Sequence, residues 1–140
     1  MEMNRYGAVL LMIAFIVLAG TSISLTQTES RLSQQSCDQL DKADAKMNEA
    51  YARILREYAN DQEFIAKIKA AQQAWLAFRD AEMEALYPKA DKLAAYGTVY
   101  PMCHCLELQS LTEDRTKQLR RWLDGIREGE VCAGSLKVSQ

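Results

Sequence analysis

The sequence lacks the patterns that mark most enzymes and nucleic-acid-binding proteins. It has no glycine-rich nucleotide-binding loop, no nucleophile elbow, no internal repeat and no alternating pattern that predicts strands. Its single histidine, His104, would have to serve any serine–histidine or cysteine–histidine mechanism. The formal net charge of −2 argues against nucleic acid as the main partner. We therefore expect a protein that is not an enzyme, with no catalytic residue, no cofactor and no bound metal.

The N-terminal segment has the anatomy of a secretory signal peptide. A positive charge at Arg5 precedes an apolar run from Ala8 to Ala19, and small residues follow up to Ser24. The run is too short to indicate a transmembrane helix, and no cysteine closes it as a lipoprotein anchor would require. We predict a signal peptide at residues 1–24, export to the periplasm or beyond the cell, and no membrane association after cleavage. An uncleaved anchor is the alternative.

The remaining chain predicts one small all-α domain. Residues 25–35 are rich in Ser, Thr and Gln and predict a flexible lead, and the domain is expected to span residues 36–135. Apolar residues recur at alternating spacings of three and four in three segments, which together predict an up-down-up three-helix bundle. The expected helices run from a Ser36 cap to about Tyr58, from an Asn60 cap to Tyr87, and from Pro101 to Gly125 or Gly129. Between Pro88 and Tyr100 we expect a loop, with one helical turn at Ala90 to Tyr96.

All four cysteines, Cys37, Cys103, Cys105 and Cys132, follow the predicted signal peptide. An even number in a small exported domain predicts two disulfides. A bond between Cys103 and Cys105 is disfavoured because residues this close strain disulfide geometry. Cys37 is then expected to bond to either of them, and Cys132 to the other. The bundle opposes the second bond, since a helix about 30 Å long would separate Cys132 from its partner.

The second predicted helix has a polar stripe where a bundle helix usually has leucine or isoleucine. Steps of three and four residues place Gln72, Trp75, Arg79 and Glu82 on its inward side. Burying such groups costs free energy unless each finds a partner. We predict a buried network that fixes helix register, with partners Asp44, Asn48, Thr112 and Arg115, and with Arg79 paired to the Asp44 carboxylate. A functional cleft is the alternative reading of the same stripe.

Three segments in order match the pattern of one protein family. The segment ADAKMNEAY (residues 43–51) resembles the pattern aD-x-x-LN-x-x-Y, and AQQAWLAFRDAE (71–82) is similar to AQ-x-AW-x-x-(Y/F)RDAE. YGTVYP (96–101) followed by LTEDRTKQL (111–119) resembles a G-(S/T) loop and an LT-x-x-R-x-x-x-L helix. With these segments the chain resembles the lysozyme inhibitor LprI-like family. The resemblance implies an exported bacterial helical protein with a protein partner, and lysozyme inhibition is described for a namesake member.

One departure from the family pattern affects the disulfides. Many members have a cysteine after the RDAE run, where this chain has Met83. The resemblance implies that this cysteine pairs with the one at the start of the third long helix, here Cys105. Because the first of these is missing, Cys105 needs another partner, and the family's pairing cannot be copied.

Two segments near Pro101 are candidate functional sites. An inhibitor would insert a loop into its target enzyme, and our candidate contact is the loop Gly97, Thr98, Val99, Tyr100 and Pro101. The alternative is a metal- or thiol-handling envelope protein that uses Met102-Cys103-His104-Cys105, because thiolates and thioethers bind soft metals and a CxC pair can be redox-active. A purely structural envelope domain is the third possibility.

Overall fold

The computed structural model describes the backbone of residues 5–139 and the side chains of residues 27–139. Its helices are α1 (Arg5–Glu57), α2 (Gln62–Leu86), α3 (Lys92–Tyr96) and α4 (Tyr100–Asp124). Two short strands, β1 (Ile126–Arg127) and β2 (Val138–Ser139), form a parallel pair after α4. The chain is mostly helical, as the sequence predicted, but we expected no strand.

Helices α1 and α4 run side by side in the same direction. Cys37 of α1 is bonded to Cys105 of α4 at one end, and the Tyr58 hydroxyl donates to the Trp122 carbonyl oxygen (2.9 Å) at the other. The backbones of these two helices approach each other along most of their shared length. They form the most closely packed pair in the described part of the chain.

Helix α2 runs antiparallel to both and reaches them mainly through long side chains. Near its start, the Phe64 ring lies 4.5 Å from the Tyr58 ring and 4.8 Å from the Trp122 ring, measured between centroids. Near its end, Arg79 reaches α1. Between these points lies the apolar core, in which every long helix takes part; its buried members are Met47, Ala50, Ile54, Ile68 and Leu119.

The C-terminal segment folds back onto the same end of the molecule as Tyr58. Gly125 ends α4 with a φ of 76°, a backbone conformation that favours glycine. A Cβ at this position would lie 2.7 Å from the Lys137 carbonyl oxygen, so only glycine permits the close approach. Lys137 Nζ then pairs with Glu57 Oε2 at 2.7 Å and lies 4.8 Å from the Tyr58 ring centroid. This arrangement anchors the tail to the end of α1.

Helix α1 begins earlier than the sequence indicated. The prediction of a helix start at Ser36 was wrong, because the Ser36 hydroxyl donates to the Leu32 carbonyl oxygen inside a continuous helix. Residues 25–35, predicted to be a flexible lead, belong to α1. No glycine or proline occurs between Gly20 and the end of α1 at Glu57, so no helix-breaking residue interrupts α1 in this stretch.

The predicted signal peptide, residues 1–24, lies outside the residues whose side chains the structure describes, and its cleavage stays a prediction. Within the described part of the chain, no helix is both long enough and apolar enough to cross a membrane. The start of α2 differs by one residue from the prediction. Its N-cap is Asp61, whose carboxylate accepts from the Phe64 amide, and not Asn60.

Of the two predicted disulfides, the structure contains one, Cys37–Cys105. The predicted bond to Cys132 was wrong, and Cys103 and Cys132 are free thiols. Cys103 lies in the first turn of α4, and Cys132 follows its C-terminal end. The two are separated by most of a 25-residue helix, and a rise of about 1.5 Å per residue makes that distance too long for a bond.

We expect removal of the disulfide to destabilise the protein substantially. The bond joins residues 68 positions apart, and cross-linking a loop of that length restricts the unfolded chain by about 4 kcal/mol. The double variant Cys37→Ala/Cys105→Ala should lose a free energy of unfolding of that order, measured by urea denaturation. Cys132→Ser is the control and should change stability by less than about 0.5 kcal/mol. A double variant as stable as the parent would contradict this role of the bond.

Candidate functional site

The polar stripe of α2 meets α1 and α4 at the Asp44 carboxylate. Arg79 Nη1 of α2 donates to Asp44 Oδ1 at 3.2 Å, and the Thr112 hydroxyl of α4 donates to the same oxygen at 3.2 Å. Thr112 is completely buried, while the side chains of Arg79 and Asp44 are 19% and 36% exposed. One carboxylate therefore joins all three long helices at the edge of the core.

A second layer lies toward the middle of the bundle. The buried Gln72 accepts from Arg115 Nε at 3.0 Å through its side-chain oxygen, and its amide nitrogen lies 3.6 Å from the Met47 sulfur. The guanidinium carbons of Arg79 and Arg115 lie 5.4 Å and 5.9 Å from the Trp75 ring centroid. Both cations thus gain a cation–π contact with the same indole. These contacts link α2 to α4 as well as to α1.

The network does not include every residue that the sequence suggested. Glu82 and Asn48, predicted to be members, are exposed. After Arg79 the inward stripe of α2 continues to the buried Met83, because four residues complete slightly more than a helical turn and three fall short of one. Asn48 directly follows the buried Met47, so its side chain lies about 100° away around α1.

The network resembles a structural hydrogen-bond network more than a catalytic site. Its only carboxylate is engaged by two donors, and it contains no thiol or imidazole. Among the described residues, two buried atoms in it have no hydrogen-bond partner, Arg79 Nε and Arg115 Nη2. Burial lowers the pKa of Arg115, and the Tyr51 side chain opposes that shift. Each arginine therefore keeps one nitrogen without a hydrogen-bond partner, although Arg115 makes two hydrogen bonds and Arg79 makes one.

The predicted contact loop lies at the disulfide end of the bundle. Gly97 ends α3 with a φ of 77°, Thr98 and Val99 form an exposed turn, and Tyr100 and Pro101 lie in the first turn of α4. The loop is therefore short and is held between two helices. The structure places its five residues together, apart from the polar network.

Three tyrosines form a cluster at this loop, and one of them, Tyr100, is itself a loop residue. The Tyr87 ring lies 5.1 Å from the Tyr96 ring and 5.0 Å from the Tyr100 ring, in both cases edge to face. The Tyr96 hydroxyl accepts from the Lys89 amide at 3.1 Å. Sequence reasoning missed this cluster. The signal was the four-residue spacing of Tyr96, Tyr100 and His104, although no pattern placed Tyr87 against them.

His104 packs beside two of these rings, 5.4 Å from Tyr100 and 6.3 Å from Tyr87 between centroids. Burial lowers the pKa of His104, the charge of Lys92 lowers it further, and Glu84 opposes both. Lys92 Nζ pairs with Glu84 Oε2 at 3.1 Å and also donates to the Tyr87 carbonyl oxygen. A neutral imidazole is thus favoured within the aromatic cluster.

At the alternative site, Met102-Cys103-His104-Cys105, one of the two cysteines has no free thiol because it is in a disulfide. Cys105 is buried and bonded to Cys37, so Cys103 and Cys105 cannot form a dithiol pair. In the part of the chain that the structure describes, no group of three or more His, Cys, Asp or Glu side chains is placed to hold a metal ion.

A family model described as lysozyme inhibitor LprI matches residues 23–119. The match covers more than half of the chain and includes the polar network, the loop and the tyrosine cluster. Neither the curated proteins nor the solved structures give a significant match.

We expect the Arg79–Asp44 pair to contribute to stability. Arg79→Ala removes the α2 donor and leaves a half-buried carboxylate bound only by Thr112, which should cost about 1–3 kcal/mol and lower the melting temperature by several degrees. Arg53→Ala, which breaks the exposed Arg53–Glu57 pair, is the control and should change stability by less than about 1 kcal/mol. An Arg79→Ala protein that melts with the parent would show that the network does not stabilise the fold.

We also expect His104 to make stability pH-dependent. Because its pKa is lowered in the folded state, the unfolded chain binds the proton more readily, so stability falls as pH drops below about 6.5. The melting temperature of the parent should therefore fall more between pH 7.5 and pH 5 than that of His104→Gln. Carboxylate titration affects both proteins equally and cancels in the comparison. Identical pH profiles would contradict a role for the imidazole.

Proposed function

The chain belongs to the lysozyme inhibitor LprI family, and from this premise we propose that it is an exported protein that binds a lysozyme and blocks its substrate cleft. We further propose that its mature form is an up-down-up three-helix bundle, released by cleavage of the signal peptide near Ser24. It acts in the periplasm or outside the cell and catalyses no reaction.

The observation that carries this proposal is the exposed, well-supported turn at Gly97 to Pro101. Val99, at its tip, is 45% exposed, and the neighbouring Leu93 is 58% exposed. The tyrosine cluster adjoins the turn through Tyr100, and the Cys37–Cys105 bond lies at the same end of the bundle. A loop held in one conformation loses little entropy on binding, which is the property that favours tight inhibition by insertion.

The chemistry of this surface supports binding over catalysis. Leu93 and Val99 are exposed apolar side chains at this surface, and the half-buried rings of Tyr96 and Tyr100 adjoin them. Apolar and aromatic side chains supply large contact areas at interfaces. The one imidazole, His104, packs between tyrosines with its pKa lowered by burial. Glu84 and Lys92 are paired with each other beside it. This arrangement favours recognition of a protein surface by shape and apolar contact.

We expect stoichiometric protein to slow the clearing of a bacterial cell suspension by at least one lysozyme class. Val99→Arg should weaken inhibition at least tenfold, because a bulky cation replaces an apolar side chain at the centre of the proposed contact. The position is the N-cap of α4 and has no side-chain capping bond, so the fold does not depend on it.

The matched control is Val131→Arg, which makes the same change at a valine that is 99% exposed and lies at the opposite end of the bundle. It should inhibit like the parent. Parent protein that inhibits no lysozyme class would refute the proposed function. Inhibition that Val99→Arg leaves unchanged would refute the loop as the contact while retaining the function.

A further inference from the structure

The exposed turn at residues 97–101 follows a helix that is too short to hold it in place alone. Helix α3 has five residues and no buried side chain. Isolated helices shorter than about 12 residues are only marginally stable in water. The Gly97 amide donates to the Leu93 carbonyl oxygen and the Tyr100 amide to the Gly97 carbonyl oxygen, but these bonds are local to α3 and the turn. The position of the turn on the bundle therefore depends on side chains that reach other elements.

Several of these contacts converge on Tyr87, the C-cap residue of α2. Its ring lies 5.1 Å from the Tyr96 ring at the end of α3 and 5.0 Å from the Tyr100 ring at the start of α4, measured between centroids. Both pairs are edge to face, an arrangement that aromatic rings favour. Lys92, at the start of α3, donates to the Tyr87 carbonyl oxygen and pairs with the exposed Glu84. One half-buried residue of α2 thus contacts both sides of the turn.

The other ring contacts at the turn do not reach α2. The Tyr96 and Tyr100 rings stack at 6.1 Å, which joins α3 to α4, and the contact of Tyr100 with His104 lies within α4. The Tyr96 hydroxyl accepts from the amide of Lys89, which belongs to the linker between α2 and α3. Among the aromatic residues that the structure describes, Tyr87 is therefore the one whose ring joins α2 to the turn.

We propose that Tyr87 is a positioning residue, whose ring holds the turn at residues 97–101 in the shape that enters a lysozyme cleft; this role rests on the proposed function. Because the ring contacts residues on both sides of the turn, its removal frees the turn to sample other shapes. The apparent dissociation constant then rises by the inverse of the fraction of molecules that keep the binding shape. If about a tenth of the molecules keep it, binding weakens about tenfold.

Amide hydrogen exchange, measured by NMR on the free protein purified after export, tests the positioning directly. The reporting amides each donate to a backbone carbonyl oxygen; they are Gly97, Tyr100 and Cys103 at the turn, and Ile65 and Gly125 at the opposite end of the bundle. Tyr87→Ala should accelerate exchange at least about tenfold at the turn, because local opening exposes these amides, and should leave the opposite end unchanged. The same variant should inhibit lysozyme at least about tenfold more weakly than the parent.

Two control variants separate the ring contacts from other effects of the substitution. Tyr87→Phe keeps the ring and should match the parent in both measurements. Phe78→Ala removes another aromatic ring from α2; Phe78 is 52% exposed, and within the described chain no ring contact joins it to the turn. This variant should also exchange and inhibit like the parent.

Unchanged exchange at the turn in Tyr87→Ala would overturn the proposal. Equal acceleration at both ends would also overturn it, because the ring would then stabilise the whole fold and not the turn. The same holds if Tyr87→Phe or Phe78→Ala behaves like Tyr87→Ala, or if faster exchange at the turn leaves inhibition at the parent level. Exchange is measured on the free protein, so a parent that inhibits no lysozyme refutes the proposed function and leaves the exchange rates to decide whether Tyr87 positions the turn.

Discussion

The fold depends on the carboxylate of Asp44, which accepts hydrogen bonds from Arg79 of α2 and Thr112 of α4. A hydrophobic core tolerates small shifts of one helix along another, because apolar contacts are not directional. Two donors on different helices that share one oxygen satisfy their hydrogen bonds in one register only, and leaving Thr112 unpaired in the interior would cost free energy. The network therefore supplies the specificity that an apolar stripe on α2 would lack.

The three long helices are held in different ways. Helices α1 and α4 are joined by a covalent bond at one end and by the Tyr58–Trp122 hydrogen bond at the other, with close backbone packing between them. Helix α2 contains no cysteine, so no disulfide joins it to either, and it approaches α4 closely at few points. Its position rests on Phe64 at one end and on Gln72 and Arg79 along its length. A cavity lined by Phe64, Ile68 and Ala71 of α2 and by Trp122 of α4 lies at this looser contact.

The amino-acid sequence predicted the helices and the inward stripe of α2 more accurately than it predicted the residues at which the helices begin and end. The spacing that predicted Gln72, Trp75 and Arg79 on one face depends only on the geometry of the helix. It does not depend on how the helices pack. The prediction that Glu82 lies on the inward side was wrong. Residues spaced by three and four shift gradually around the helix, so Met83 is the buried residue at this turn. The predicted start of α1 at Ser36 was wrong because a serine favours helix caps but can also donate a hydrogen bond to a carbonyl oxygen four residues earlier inside a helix. Here Ser36 donates to Leu32. The prediction of a second disulfide was wrong because the number of cysteines does not say which of them lie close together in the fold.

The features missed from the sequence are those that depend on contacts between distant segments. Tyr87 meets Tyr100, and Lys137 meets Glu57, only after the chain has folded. The first contact packs two rings beside the exposed turn, and the second holds the tail against the end of α1. The polar network, in contrast, was visible in the sequence and is turned inward, where a partner protein cannot reach most of it. The family-pattern residues Gln72, Trp75 and Arg79 thus serve mainly to position α2 against α1 and α4.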